Sequence, residues 1–373
     1  MTTDVLINEI LVQRRGNAGL ITLNRPKALN ALSLQMVRDI TAALTAWRDD
    51  PAVKIVAIRG SNKVGKPGTP EALFGGFCAG GDIRFFYTAA LAGDRALDDF
   101  FTEEYSLNHL IHNYPKPYIA FMDGVVMGGG MGLSQGARTR IVTEQTKMAM
   151  PETNIGLFPD VGGGYFLSRC PGHVGEYLAL TGEVIGADEA IDYGLADVKV
   201  EAASLPALWD ALGISSFNDW TATYFGAVCA HNQDFSAPKY PQIGAHFGLL
   251  RVKHIIDSLE KANDDDWAKK TAAVLRKRSP LMLHATLEQI RKARGMNLAD
   301  DLRMERDMVH QCFHLRPALE GETLEGIRAL AVDKDYTPKW VPARIEDVKP
   351  GMADAFFVSP WTSETHPLRE LQA

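Results

Sequence analysis

Cysteine is scarce in this chain: four in 373 residues, Cys78, Cys170, Cys229 and Cys312, dispersed without a C-x-x-C pair or a Cys/His ligand spacing. That excludes a disulfide scaffold and a zinc-ribbon type of site, and it fits a reduced compartment. Long apolar runs are missing too, since no stretch reaches the ~18 uninterrupted apolar residues of a membrane span. Clustered Lys and Arg are also absent. With 39 basic against 46 acidic residues the net charge is -7, which argues against a nucleic-acid surface because neutralising phosphates needs local positive charge. The start, MTTDVLINEI, lacks the basic segment and apolar core of a secretory signal and the Arg-rich amphipathic character of a transit peptide. A soluble, cytoplasmic protein with no membrane or nucleic-acid partner is the expectation. What is present, 46% hydrophobic and 23% charged residues, suffices for one large domain or a domain with a substantial appendage.

The first half alternates short β-like runs with helical patterns, the signature of βαβ architecture. Gly19 to Asn24 reads as a strand. Ser33 can cap a helix in which Leu34, Val37, Ile40, Leu44 and Trp47 recur at helical spacing, and Val53 to Arg59 is a second strand. Residues 60–81 read as an exposed loop leading into the Cys78-Ala79-Gly80-Gly81-Asp82 run. Pro117 to Met122 and Arg140 to Thr143 read as further strands. Beyond about residue 200 the β signal fades and helices dominate, with Gly244 to Glu260 and Ser279 to Arg294 the clearest. The acidic run Asp264 to Asp266 reads as a helix start or a solvated turn.

Two glycine-rich turns, at Ala79-Gly80-Gly81 and Gly128-Gly129-Gly130, each lead into a helix. Such turns expose backbone N–H groups without helical partners, which can bind an oxygen carrying negative charge; two converging turns make an oxyanion hole for acyl chemistry. Taken singly, each is equally a tight turn that packs a helix on a strand. A third such turn, Gly162 to Gly164, lacks the Lys-Ser/Thr of a P-loop, so nucleotide hydrolysis is excluded. Cys78 has no paired His and reads as a buried thiol. His109 and His112 lack a third ligand, so no metal is expected.

The order and spacing of Leu23-Asn24-Arg25-Pro26-Lys27-Ala28-Leu29-Asn30-Ala31-Leu32, the CAGGD run, the triple glycine and the PE-x5-FPD-x-GGG stretch resemble the crotonase, or enoyl-CoA hydratase/isomerase, superfamily. MPETNIGLFPDVGGGYFL, Glu103-Glu104-Tyr105 and Asp333-Lys334-Asp335-x2-Pro338-Lys339-Trp340 resemble the 3-hydroxyisobutyryl-CoA hydrolases within it, which extends the likeness from residue 15 to roughly residue 350. The resemblance implies an α/β fold with a crotonase-like ββα-superhelix core over residues 1–200. A helical region over 201–373 would follow, either covering the active site or mediating assembly of a homo-oligomer.

The same resemblance implies an acyl-CoA substrate, with coenzyme A as part of the substrate and no separate cofactor. Ala79 and Gly129 amides would form the oxyanion hole; Glu152 and Asp160 would be catalytic; Glu104, Gly129, Glu152 and Asp160 would bind the acyl group; Lys27, Ala28 and Asp82 would meet coenzyme A. Glu152 would attack the thioester or act as base on water. Read without the resemblance, Asp160 reads first as a cap of the helix after it, Glu152 can be a first-turn carboxylate, and Glu104 can be one of an adjacent acidic pair on a charged helix face. A crotonase-type hydratase uses two glutamates, and the position of the second is Gly132 here, so two-carboxylate hydration is disfavoured. The implied reaction is hydrolysis of 3-hydroxyisobutyryl-CoA in valine breakdown, with an enoyl-CoA hydratase or isomerase as the alternative.

Overall fold

The computed structural model describes residues 8–62, 74–225, 239–262, 264–317 and 320–372. Cys229 and residues 63–73 of the loop expected between 60 and 81 lie outside them. Cys78, Cys170 and Cys312 are buried free thiols.

Strands β1 (Ile10–Arg15), β2 (Ala18–Leu23), β3 (Ile55–Gly60), β4 (Tyr118–Met122), β6 (Thr139–Thr143) and β8 (Val198–Val200) form a six-stranded sheet in the order β1-β2-β3-β4-β6-β8. Strands β5 (Val125–Met127) and β7 (Lys147–Ala149) pair separately. Only the β1–β2 pair is antiparallel. Between the strands run α1 (Leu34–Arg48), α2 (Ile83–Ala92), α3 (Ala96–His112), α4 (Gly129–Gln135), α5 (Gly163–Leu167), α6 (Val174–Thr181) and α7 (Ala187–Asp192). After β8 every helix or strand among the described residues is helical: α8 (Leu205–Ala211), α9 (Phe217–Phe225), α10 (Lys239–Phe247), α11 (Val252–Lys261), α12 (Asp266–Leu275), α13 (Pro280–Ala293), α14 (Leu298–His314) and α15 (Glu322–Ile327). The mixed α/β class with a helical C-terminal region is therefore as expected.

The sheet is covered on both faces, and the two-residue side-chain period of a strand sorts its residues between them. Val56 and Ile58 of β3, with Tyr118, Ala120 and Met122 of β4, join the larger core with α1 and α3. Their neighbours Ile55, Ala57, Ile119 and Phe121 form a second core with Trp209 and Trp220 from α8 and α9. The helical region therefore begins by sealing the back of the sheet. Its later helices, α10 to α15, contribute to the same large core as the N-terminal half.

Ser33 caps α1 as expected, accepting from the Met36 N–H at 3.2 Å. The run Gly244 to Glu260, expected as one helix, is two. The chain breaks between α10 and α11, where Arg291 donates to the carbonyls of Leu249 and Leu250 at 2.7 and 2.6 Å, so a tertiary partner takes carbonyls that a continuous helix would use. Asp265 caps α12, accepting from Trp267 and Ala268 amides at 2.9 and 3.2 Å, which settles the acidic run as a helix start.

Candidate active site

The two glycine turns meet because the segment ending at Cys78 is stitched to β5, which precedes the second turn. Cys78 donates its N–H to Val125 O and accepts from Met127 N–H, both at 2.9 Å, while Leu32 N–H donates to Gly80 O at 2.8 Å. Asn30 locks this junction: its side-chain amide donates to Ser61 O, Gly76 O and Phe77 O at 2.9 to 3.1 Å. Gly80 has φ +108°, open to glycine but strained for other residues, and a β-carbon there would stand 3.6 Å from Gly129 N. The Gly80 and Gly129 N–H groups have no acceptor among the described residues. Ala79 differs from expectation: its N–H donates to Leu29 O at 3.0 Å, because the Lys27–Leu29 turn folds directly over it.

Three carboxylates surround this junction. Glu104 of α3 is 2% exposed, Asp160 6% and Glu152, opening a short 3-10 turn (Glu152–Ile155), 7%. They line one cavity of about 180 Å³ together with Ala79, Gly80 and Gly129. That is below the ~300 Å³ lower end for drug-sized ligands, so the space suits a small acyl group rather than a whole nucleotide thioester. A β-carbon on Gly129 would lie 2.6 Å from Glu104 Oε1, and one on Gly128 would lie 2.8 Å from Glu152 Oε1. Glycine at both positions is what leaves room for the two carboxylates beside the turn.

The adjacent acids of α3 part company by helical phase. Glu103 points outward into a two-pronged pair with Arg38, at 2.8 and 2.7 Å, while Glu104 points inward and its Oε1 has no partner. Glu152 Oε2 is also unpartnered. Asp160 is not the cap of the following helix: its Oδ2 accepts from Tyr105 OH at 2.9 Å. Tyr105 was visible in sequence only as the neighbour of Glu104. Its placement one residue on, also buried in the middle of α3, gives it a role that pattern alone did not reveal.

Burial pushes the Glu104 and Glu152 carboxyls well above the usual range, and the charge of Asp160 raises both further. Asp160 is pushed up to about 6, burial outweighing the Tyr105 hydrogen bond that favours its ionised form. Carboxylates that share one cavity titrate as a group rather than singly. Burial and neighbouring acids likewise hold Tyr105 well above the ordinary phenol value, leaving it a proton donor.

A stability consequence follows from the raised Asp160. Below about pH 4 it is neutral in both folded and unfolded chains; as pH rises from about 4 to about 6 the unfolded chain ionises first, so this group's contribution to stability is lost across that window. Asp160→Asn is expected to gain on wild type by on the order of 1 to 3 kcal/mol between pH 4 and pH 7. Urea unfolding midpoints across that range check it, and a constant difference between the two proteins would refute the raised value.

The remaining expected residues divide. Lys27 is exposed and Ala28 half-buried on a 3-10 turn (Pro26–Ala28) beside the junction. Asp82 caps α2, accepting from Arg84 and Phe85 amides at 3.2 and 3.3 Å, and pairs with Arg25 at 2.8 Å, so its oxygens are already engaged. Cys78 is buried and its thiol is pushed up to about 12, which suits structure rather than attack. His109 meets Gln372 O at 2.7 Å and His112 packs on Tyr165. Among the described residues one set, Asp98, His310 and His314, brings three ligand atoms within 4.8 Å. Asp98 Oδ1 there already accepts from Arg306 at 2.6 Å, so the set reads as an ion-pair cluster joining α3 to α14, away from the cavity.

The Asp333 to Trp340 motif is a brace. Arg328 is held by Glu325 at 2.7 Å on two prongs, Asp333 at 2.6 Å and Asp335 at 2.7 Å, while Trp340 donates to Lys277 O at 3.0 Å. The brace fixes the turn Arg328–Val332, whose Leu330 lines the cavity.

Known proteins place this arrangement. The enoyl-CoA hydratase/isomerase family profile matches residues 18–357. The chain is 40% identical over 360 residues to "3-hydroxyisobutyryl-CoA hydrolase, mitochondrial" of Xenopus tropicalis, covering 94% of this chain and 89% of that protein. It is 37% identical over 359 residues to "Probable 3-hydroxyisobutyryl-CoA hydrolase 3" of Arabidopsis thaliana, covering 94% and 91%. Among solved structures it resembles a carnitinyl-CoA dehydratase from Mycobacterium thermoresistibile, with TM-score 0.85 and 34% identity over 98% of this chain and 100% of that one. An enoyl-CoA hydratase from Rhodobacter sphaeroides matches at TM-score 0.81 and 35% identity over 94% and 98%. With a fold shared along nearly its whole length and the glycine turns and buried acids in place, this chain belongs to the enoyl-CoA hydratase/isomerase family.

Proposed function

We propose that this chain hydrolyses 3-hydroxyisobutyryl-CoA to 3-hydroxyisobutyrate and free coenzyme A, as a step of valine breakdown. The observation that carries the reading is one small cavity in which unpartnered amides of the glycine turns face three buried carboxylates. The relatives named as hydrolases of this thioester, similar along nearly the whole chain, support it.

In the proposed reaction the thioester oxygen sits against the Gly129 N–H and the Ala79–Gly80 turn. Gly80 N–H is unpartnered, and Ala79 N–H would share its proton between Leu29 O and the developing oxyanion. Glu152 either attacks the carbonyl carbon, giving an anhydride that water then opens, or takes a proton from the attacking water. In both routes the C–S bond breaks, the sulfur leaves as thiolate or, once protonated, as thiol, and the acyl group ends as a carboxylate. Asp160, steadied by Tyr105, holds the substrate hydroxyl or the water, and Glu104 closes the acyl pocket. Lys27, Ala28 and Asp82 lie on the route assigned to coenzyme A. The helical C-terminal region, treated as a unit over 201–373, covers the site of its own chain through Leu330, a reading compatible with a homo-oligomer. A cytoplasmic location belongs to this proposal; the vertebrate relatives are named as mitochondrial proteins, and cell fractionation decides between the two.

A hydratase reading draws on the names of the two similar solved structures. Against it, the second carboxylate of that chemistry has no place here. Position 132 is glycine, and a β-carbon there would lie 2.7 Å from both Asn108 Nδ2 and Val161 Cβ. Free-thiol release from 3-hydroxyisobutyryl-CoA, measured beside hydration of crotonyl-CoA, tests the proposal. Rapid thiol release with negligible hydration is expected; hydration or isomerisation without thiol release would overturn it.

A further inference from the structure

Asp160 sits on a strained turn. Val161, a β-branched residue, has φ +58°, a conformation that costs about 1 to 3 kcal/mol and persists only where its surroundings impose it. Those surroundings come from the C-terminal helical region. Glu305 of α14 is fully buried, and its two oxygens accept from the Gly162 and Gly164 N–H groups at 2.7 and 2.9 Å. Asp301, one helical turn earlier and also fully buried, accepts from Tyr165 N–H at 2.8 Å. Gln289 of α13 completes the grip from the other end, donating to Pro159 O at 2.6 Å and to Glu305 Oε1 at 3.1 Å. The segment 159–165 is thus held on both sides of Asp160, and none of the three side chains lines the cavity.

Burying two carboxylic acids one turn apart is costly without a function to retain them. The Glu305 carboxyl offers a separate oxygen to each of the two buried amides, whereas an amide side chain at 305 has a single accepting oxygen to place between them. Gly164 fits the same design: a β-carbon there would lie 2.3 Å from Asp301 Oδ1, so glycine is what lets the acid reach the following amide.

We propose that Glu305, with Asp301 and Gln289, is a positioning residue for the reaction: this buried clamp from the C-terminal helices fixes the Pro159–Tyr165 turn and so aims the Asp160 carboxylate into the cavity. The inference rests on the proposed hydrolase reading for its kinetic consequence, and on the hydrogen bonds alone for its structural one. It assigns to the C-terminal region a part in catalysis without any contact to substrate.

The test uses the full-length chain with Glu305→Gln, Asp160→Asn and the double variant. In Glu305→Gln, kcat per folded molecule is expected to fall about 50-fold with KM within about threefold, in line with the loss that follows an ångström-scale misplacement. The same substitution made on Asp160→Asn is expected to lower kcat by less than about threefold, because it acts through a side chain already disabled. Amide exchange at Gly162, Gly164 and Tyr165 is expected to quicken in Glu305→Gln while the protection of α1 is unchanged. Unaltered exchange at these amides, or faster exchange with unaltered kcat, overturns the clamp; so does an equal kcat loss in both backgrounds. If wild type releases no thiol, the hydrolase reading fails and the exchange result still decides whether Glu305 fixes the turn. Should Glu305→Gln not fold, Gln289→Met removes the Pro159 grip and the contact to Glu305 Oε1 while leaving the Glu305 bonds to Gly162 and Gly164 in place, and the same measurements with a kcat loss of about five- to tenfold are expected.

Discussion

Glu152→Gln is expected to abolish thiol release while leaving the chain folded. The loss is about 10² to 10⁴-fold if Glu152 acts as a base, and larger if it attacks the thioester, since an amide can do neither. The substitution is nearly isosteric, and Glu152 Oε2 has no protein partner, so no hydrogen-bond network depends on its charge. Replacing a carboxyl whose ionisation is opposed by burial and by the charge of Asp160 also removes a group that ionises more readily in the unfolded chain, so stability at neutral pH is expected to rise rather than fall. A dead enzyme that is at least as stable as wild type separates a chemical role from a structural one. Steady-state thiol release and urea unfolding on the same preparation check both halves; a variant retaining a tenth of wild-type rate would remove Glu152 from the chemistry. Label found in the Glu152 side chain after a single turnover in ¹⁸O-labelled water would establish direct attack, because it enters only when water opens the anhydride at the glutamyl carbonyl.

Gly130→Ala is expected to cost activity through backbone geometry alone. A β-carbon at Gly130 would lie 2.5 Å from Cys78 O and 3.0 Å from Cys78 Cβ, and both belong to the strand end that carries the opposite turn. Cys78 O is already tied to Met127 N–H at 2.9 Å, so neither side can yield without moving its own turn. The two turns separate, and the amides proposed to share the oxyanion move out of reach of a common oxygen. Losing the use of one such donor costs about 10² to 10³ in kcat, with overpacking of about 1 to 3 kcal/mol in stability. Gly186→Ala supplies the control, because a β-carbon there meets nothing within 4 Å; its activity and unfolding midpoint are expected to match wild type. Unchanged kcat in folded Gly130→Ala would dissociate the spacing of the turns from catalysis.

Local rules made some elements legible. Ser33 and the helical spacing from Val37 to Trp47 mark α1, since cap chemistry and one-sided burial both act within a few residues. The inner strands β2, β3 and β4 are marked by short apolar runs because each is buried on both faces. Strand β1 was not legible: four of its six residues are exposed, and it is a strand because β2 pairs with it. Strands β5 and β7 have three residues each, too few for a period, and exist where two distant loops meet. The break between α10 and α11 depends on Arg291, 41 residues beyond Leu250 in sequence and invisible to any local window.

At the site the same division holds. Residue type and spacing marked the glycine turns, whereas the acids Glu104, Glu152 and Asp160 were singled out by family resemblance, because spacing alone left each readable as a helix cap, a first-turn carboxylate or part of a charged helix face. What spacing could not supply is direction. Helical phase turned Glu104 inward and Glu103 outward, a tyrosine claimed Asp160, and a neighbouring turn took the Ala79 amide. Glu305, 145 residues after Asp160 in sequence, reached the Gly162 and Gly164 amides only once α14 had packed on α5. The sequence by itself determined which groups are available and in what order, through local propensity and motif. The tertiary structure alone decided which of them share a desolvated space, because hydrogen-bond partners and raised carboxyl pKa values depend on distances between segments that no local pattern encodes.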